Sequence, residues 1–405
     1  MLPFCRLAWR LKRVSSSDSI TANDIIRATT RKITIAGQGP KSQGVLERFL
    51  LGFPGQELSA ELTGLLAGGL AGVAIYPRNF RDVAELRRLT HAIREAAGRP
   101  VLIGIDQEGG TKFSLGEPFT PWPSPAEFGR LGDISLIEQI ARAMARELRA
   151  AGMNLNFAPM LDLATNPDSP VTLGRSFGSD PQHVAQMGCA FLRGLQAEGV
   201  LACAKHFPGH GDTAVDPHLD LPFFDGTRER LMAQELVPFA AAIKTGVPLI
   251  MTAHILAHRI DSAWPASLSR ALLQSILREQ LAFNGIILAD DLGMGAIARR
   301  YENGESAVRT LEAGTDIAML CHDWAAVAPA LEAVAQAISD RRPGSGRDAR
   351  MAAQLTAKSR SRIEQLRQQL RQIEKTDAPP VDTIGCPAHR TLAAKIRAKL
   401  NEPTS

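Results

Sequence analysis

Read for apolar and polar positions, the chain repeats one unit through its middle. A short apolar run rich in β-branched residues leads to a polar or Gly-rich stretch, and then to a segment with helical spacing. The runs are GVAIYP (72–77), VLIGID (101–106), MNLNFAPMLDL (153–163), VLACAKH (200–206), VPLIMTAH (247–254), GIILADD (285–291) and TDIAMLC (315–321). They are continuous rather than alternating, the pattern of strands buried on both faces of a parallel sheet. Between them, residues 136–151 repeat apolar positions every three or four residues. Residues 181–198 open after Ser-Asp-Pro and stop at Gly199, and 228–245 and 268–281 behave similarly. With a weaker run near 45–51 there are eight strand–helix units by residue 337. This predicts an α/β fold of the (β/α)8 TIM-type barrel, a single catalytic domain with extra C-terminal helices. An open doubly wound sheet is the competing arrangement, but no G-x-G-x-x-G follows the first strand.

The flanks break the pattern. Residues 1–43 read as an N-terminal extension, loosely ordered, in which Arg6, Arg10, Lys12 and Arg13 interrupt the apolar residues and argue against a secretory signal. The barrel is expected over 44–340. Residues 341–405 form a tail: RRPGSGRD (341–348) is a linker, and 349–375 and 388–400 are charged helical patterns. These helices are expected to pack on the barrel's outside.

Composition narrows the partners. Of 405 residues, 46 are Lys or Arg and 42 Asp or Glu. The basic residues are dispersed and aromatics make up 5%, so nucleic acid is not an expected partner. The five cysteines are scattered without C-x-x-C spacing, as in a reducing compartment. No apolar run approaches the ~18–20 residues of a bilayer span. The expectation is a cytoplasmic protein without a membrane span.

In a barrel of this type, chemistry sits at the C-terminal ends of the strands. Five predicted strands deliver polar groups there. Asp106, Gln107 and Glu108 follow the third, and Arg175 lies in the loop after the fourth. The fifth runs into KHFPGHGDTAVDPHLDLP (205–222), with His206, His210, His218, Asp212, Asp216 and Asp220. His254 ends the sixth, and Asp290 and Asp291 end the seventh. A set rich in carboxylates and imidazoles, without a G-x-S-x-G elbow, suits glycosidic cleavage by a carboxylate nucleophile facing a general acid. Metal hydrolysis is the alternative. His206 and His210 are four apart, but Pro208 and Gly209 interrupt the helix that H-E-x-x-H requires, which leaves only a loop-built metal site.

The stretch KHFPGHGDTAVDPH, with AIYPRN, IDQEGG, NFAPMLDL, GRSFGSDP, MTAH and ILADDLGM in order around it, resembles the bacterial NagZ-type β-N-acetylhexosaminidases of glycoside hydrolase family 3. The resemblance runs from residue 52 to residue 320. It implies a barrel that removes terminal β-linked N-acetylglucosamine (GlcNAc) from muropeptides, in peptidoglycan recycling, or from chitooligosaccharides, with retention and with no cofactor or metal. It implies Asp290 as nucleophile, His218 as proton donor on the loop after the fifth strand, and Asp216 as the partner of His218. Asp106, Arg175, Lys205 and His206 take the sugar-binding positions. Asp216 would stabilise the imidazolium and fix its orientation, and Asp106 offers an acceptor where the other three offer donors.

Two positions depart from the family. Ser114 stands where a ligand-binding arginine is usual, with Lys112 as a poorer substitute lacking the bidentate fork, and Pro217 replaces a serine between the catalytic Asp and His. Asp291 is expected to be structural and His210 to fix the turn. His254 reads equally as pocket floor or as a satisfied buried histidine. Asp212 and Asp220 are expected to be solvated, and CHD (321–323), at the end of the eighth strand, to be incidental. Phosphorolysis of the same sugars, a glycosidase of other sugar specificity and a non-catalytic sugar-binding barrel are the competing functions.

Overall fold

A computed structural model describes residues 44–339 and 346–401. Its sheet is a closed ring of eight parallel strands: β1 (Phe49–Gly52), β2 (Gly72–Ala74), β3 (Leu102–Ile105), β4 (Leu155–Asn156), β5 (Leu201–Phe207), β6 (Leu249–Thr252), β7 (Ile286–Asp291) and β8 (Ile317–Leu320). Each follows its predecessor round the ring, and β8 pairs with β1 to close it. All eight coincide with the apolar runs. The longest run forms the shortest strand: Pro159 has no N–H for the ladder, and pairing beyond Asn156 resumes only as a bridge between Met160 and Lys205. The two faces of the ring bury different sets. Leu50, Leu102, Leu155, Leu201, Leu249, Leu288 and Met319 pack inside the barrel. Leu51, Val73, Ile103, Ile250, Ile287 and Ala318 join the larger core beneath the helices.

The surrounding helices are α1 (Ala60–Gly68), α2 (Val83–Ala97), α3 (Pro125–Leu131), α4 (Ile134–Ala150), α5 (Pro181–Ala197), α6 (Arg228–Ala233), α7 (Val237–Lys244), α8 (Gly295–Ala298), α9 (Asn303–Ala313) and α10 (Val327–Ser339), with a π-helical segment at Ala271–Gln280. Ser59, Asp82, Ser124, Asp133, Asp180 and Thr227 accept the first free N–H groups at six of the N-termini. The single helix expected over 228–245 is two, because Pro238 at the start of α7 cannot continue a helix from α6.

Two helices complete the described chain, α11 (Gly346–Glu374) and α12 (Pro387–Asn401). α12 packs on the outside, where His389 Nδ1 donates to the buried Glu147 at 2.7 Å. α11 does something different from joining the outer ring. Its Ile363, Leu366 and Leu370 enter the apolar cluster of the barrel interior. At the start of β8 the buried Asp316 accepts from Arg362 of α11 (2.7 Å), from Arg278 (2.5 Å) and from the Ile287 N–H (2.9 Å). α11 thus caps the end of the barrel opposite the strand C-termini. Among the described residues no helix is long and apolar enough to cross a membrane. The extension over 1–43 lies outside the described residues.

Candidate active site

At the C-terminal rim, β3 and β4 fix the first group of side chains. Asn156 brackets the main chain of Gln107, accepting from its N–H at 3.0 Å and donating to its carbonyl at 2.8 Å. That pin, with the two-residue period of extended chain, sends Asp106 and Glu108 to one side. Lys205, near the end of β5, meets both: Nζ lies 2.5 Å from Asp106 Oδ1 and 2.7 Å from Glu108 Oε1. Arg175 reaches Glu108 from the β4–α5 loop through two N–H bonds, 3.0 and 2.7 Å, the bidentate geometry open to a guanidinium.

Glu108 is therefore the buried hub of a four-membered ion network. Burial opposes its charge, but Lys205 and Arg175 hold the carboxyl well below the usual carboxylate range. Burial equally disfavours the two cations, yet Asp106 and Glu108 raise Lys205, and chiefly Glu108 raises Arg175, above their ordinary values. All three stay ionised, and Asp106 keeps an exposed edge toward the rim.

A second hub is Asp162, fully buried after β4. It accepts the His210 N–H at 2.7 Å, the His206 N–H at 3.2 Å and His206 Nδ1 at 2.7 Å. Burial works against its ionisation, and the two histidines outweigh it and lower the pKa. The bond on Nδ1 fixes the tautomer of His206, leaving Nε2 for the pocket. His210 is turned away onto Thr213 Oγ1 at 3.1 Å, its imidazole edge-on to that of His206. Burial pushes its pKa down to about 3, so it is neutral in the folded chain.

β7 supplies Asp290 and Asp291, which part company. Among the described residues Asp290 accepts only the N–H of Asp291, at 2.8 Å. Burial opposes its charge, but His206, His254, that N–H and Lys205 together lower its pKa. The result is an ionised carboxylate with spare lone pairs. Asp291 is used up: it accepts from the N–H groups of Gly293 and Cys321, both at 3.0 Å, and from His322 Nδ1 at 2.8 Å. His254 bonds Ser267 Oγ at 2.7 Å and the Asp291 carbonyl at 2.9 Å, and burial lowers its pKa. Both of its ring nitrogens are taken, which settles it as a satisfied buried histidine under the site. Beside them His322 packs on the ring of Tyr76 at 5.0 Å, and the Arg78 guanidinium lies over the same ring, 4.3 Å from its centre.

The loop after β5 brings Asp216 and His218 to the surface as a pair. Asp216 Oδ1 accepts both the N–H of His218, at 2.8 Å, and its Nδ1, at 2.9 Å. The His218 ring is 61% exposed, so Nε2 faces solvent and is free to exchange protons. Burial opposes the charge of Asp216, and the two bonds from His218 outweigh it and lower its pKa. The loop rests on α8: the Ala296 N–H donates to the Pro217 carbonyl at 2.9 Å, and Asp220 pairs with Arg300 at 2.6 Å.

All seven residues expected at the site therefore lie at this rim. Asp106, Arg175 and Lys205 share one network, and His206 and Asp290 share one electrostatic neighbourhood. Asp216 and His218 stand out on the loop. Three expectations need correction. Asp212 is not simply solvated, since it meets Arg230 at 3.0 Å, and Asp220 is an anchor for the loop. His322 has a partner in Asp291. Lys112 is exposed on the return strand of a short hairpin, and Ser114 uses its N–H on Gln107 at 3.0 Å. The pattern along the chain assigns no role to Glu108 or Asp162, although an aspartate inside the apolar stretch MLDL was itself a signal, because a buried charge requires partners. Among the described residues no group of three or more His, Cys, Asp or Glu side chains is arranged to hold a metal ion.

A rim with an ionised, uncommitted carboxylate, an exposed imidazole backed by a carboxylate and a fixed set of donors can attack a carbon centre, move a proton and hold a polyhydroxylated ligand. Comparison with known proteins identifies the family. A beta-hexosaminidase of Stenotrophomonas maltophilia is 38% identical over 283 residues, 67% of this chain and 83% of that protein. A glycoside hydrolase family 3 beta-N-acetylglucosaminidase from Paenibacillus sp. superposes with a TM-score of 0.82 at 35% identity, over 88% of this chain and 68% of that one. NagZ from Neisseria gonorrhoeae, solved with N-trifluoroacetyl-D-glucosamine, superposes at 0.66 with 27% identity, over 87% and 98% of the two chains. Residues 51–351 match the family described as Glycosyl hydrolase family 3 N terminal domain. That match takes in the barrel from β1 past β8, and the chain belongs to glycosyl hydrolase family 3 and is a glycoside hydrolase.

Proposed function

We propose that this chain is a retaining exo-β-N-acetylglucosaminidase that removes terminal β-linked GlcNAc from peptidoglycan fragments. The observation that carries the reading is the division of labour at the rim. Asp290 is ionised with free lone pairs, while His218 is exposed, with Nδ1 engaged by Asp216 and Nε2 open. In the first step Asp290 attacks the anomeric carbon as the bond to the leaving oxygen breaks, and His218 Nε2 gives that oxygen its proton. In the second, water attacks the same carbon, His218 takes the proton of the water, and the Asp290 carboxylate departs. The overall change is hydrolysis with retention. Asp216 stabilises the imidazolium and keeps it turned toward the substrate. Asp106 offers an acceptor, and Arg175, Lys205 and His206 offer donors, for the hydroxyls of the sugar. The hub residues Glu108 and Asp162 hold these groups in place, where positioning counts most.

The test is a series of aryl N-acetyl-β-D-glucosaminides with leaving groups from good to poor, assayed with and without phosphate and beside the GalNAc and glucose analogues. Asp290→Ala is expected to lose at least about 10⁴-fold in kcat. His218→Ala should lose about 10²- to 10⁴-fold on poor leaving groups and far less on good ones, which need little protonation. An equal loss across the series would remove His218 from the role of acid. A sugar phosphate as product would replace hydrolysis with phosphorolysis.

A further inference from the structure

At the barrel end opposite the catalytic rim, α11 and the segment after it cover a cavity of about 490 Å³. Its lining includes Arg94 of α2, Arg99, which precedes β3, and Arg149 of α4, with Glu374 and Asp377 at the edge contributed by the C-terminal segment. The three arginines share a feature: among the described residues each guanidinium donates only to main-chain carbonyls. Arg94 bonds the carbonyls of Thr90 and Gly152, Arg99 those of Ala97, Leu66 and Leu70, and Arg149 those of Glu198, Thr376 and Asp377. Among the described residues none of the three forms an ion pair. Other half-buried arginines do reach carboxylates: Arg175 on Glu108, Arg278 and Arg362 on Asp316, Arg367 on Glu47.

Carbonyls orient a guanidinium but leave its charge uncancelled. Burial lowers the pKa of all three, and Arg149 adds its repulsion to Arg94. Glu374 acts on Arg94, and Glu198 and Asp377 on Arg149, through space and without a carboxylate hydrogen bond. The charge at this place is positioned, partly desolvated and short of a hydrogen-bonded counter-ion. The cavity falls within the range of small-ligand pockets, roughly 300–1,000 Å³, and is larger than a bare phosphate needs.

We propose that this cavity is a binding site for a small molecule carrying a phosphate or carboxylate group, gripped by Arg94, Arg99 and Arg149 beneath the C-terminal segment. The planar guanidinium forks suit an oxyanion. An occupant would join α2, α4 and the end of α11, and would therefore act on the stability of the closed lower end rather than on the chemistry at the rim.

The experiment titrates the full chain with inorganic phosphate, glucose 6-phosphate and citrate at constant ionic strength, by calorimetry and by thermal unfolding. The expected result is saturable one-site binding with a Kd below ~1 mM for at least one probe, with a matching rise in Tm; the probe with the largest effect identifies the ligand class. Arg94→Gln/Arg149→Gln should bind about tenfold or more weakly while its glycosidase activity stays unchanged. Glu374→Gln, at the exposed edge, should bind more tightly, and it serves as the test should the double variant fail to fold. Equal Tm rises in wild type and variants, the behaviour of a generally excluded salt, or no saturable binding of any probe, would overturn the proposal.

Discussion

Asp162 never faces the substrate pocket directly, yet two histidines take their positions from it. Its carboxylate holds the main chain at both His206 and His210, and it fixes the His206 ring through Nδ1. Asp162→Asn keeps the shape but replaces one acceptor oxygen with an amide donor, so one of these N–H groups meets another N–H. The expected outcome is a fall of about 100-fold in kcat/KM, the scale of a small misplacement of a binding group, with Asp290 chemistry otherwise intact. Steady-state kinetics on an activated aryl glycoside checks it; a variant within twofold of wild type would show that His206 needs no such anchor. At this scale the sequence was half legible. Polar residues after apolar runs marked the rim, and the resemblance to the family's motifs singled out Asp106, Arg175, Lys205, His206, Asp216, His218 and Asp290 there. Glu108 and Asp162 could not be given partners, because their partners come from strands or loops 44 or more positions away in the chain. Only closure of the ring tells which of those lie side by side.

Between elements, the decisive contact is where the acid–base loop rests on α8. Gly295, the first residue of α8, has no side chain for a physical reason: a Cβ there would lie 2.4 Å from the His218 carbonyl oxygen and 3.1 Å from that of Leu219. Both obstacles are main chain, so an added methyl must move the loop rather than rotate a side chain. Gly295→Ala is therefore expected to lower kcat by about 10- to 100-fold, chiefly on poor leaving groups, with little change in Tm. An equal loss on good and poor leaving groups would place the damage at Asp290 instead of His218. The strands themselves were plain in the sequence, since continuous apolar runs of strand length, each followed by a helical pattern, fit little besides a parallel sheet buried on both faces. The packing of α8 against the loop after β5 was not, because a four-residue helix carries no periodicity to read.

The whole barrel is a stack with two polar ends and an apolar middle, and both ends contain buried charge. At the lower end α11 contributes Ile363, Leu366 and Leu370 to the interior and Arg362 to Asp316, so the tail is part of the closure of the barrel. At the upper end the buried histidines make stability depend on pH. His210 is neutral when folded, with burial lowering its pKa to about 3, against about 6.5 in an unfolded chain. Between those values the unfolded state binds a proton that the folded state does not, so its contribution is whole above about pH 6.5 and declines as pH falls, by up to ~1.4 kcal/mol per pH unit. His254, also lowered by burial, acts in the same direction. Glu108, Asp162 and Asp290 have depressed values, so their contribution is complete above about pH 4 and is lost below it. In the window from about pH 6.5 to 4.5 the buried histidines weaken the fold on acidification, while Glu235 and Glu374, both raised by burial, act the other way. The comparison with a His210 variant is therefore what isolates His210. Urea unfolding across this window should show wild-type stability falling with acidification, and His210→Gln should fall less steeply by close to one proton. Equal slopes for the two proteins would mean that His210 is protonated in the folded state, its ring able to take a charge while enclosed by Asp162, His206 and Thr213.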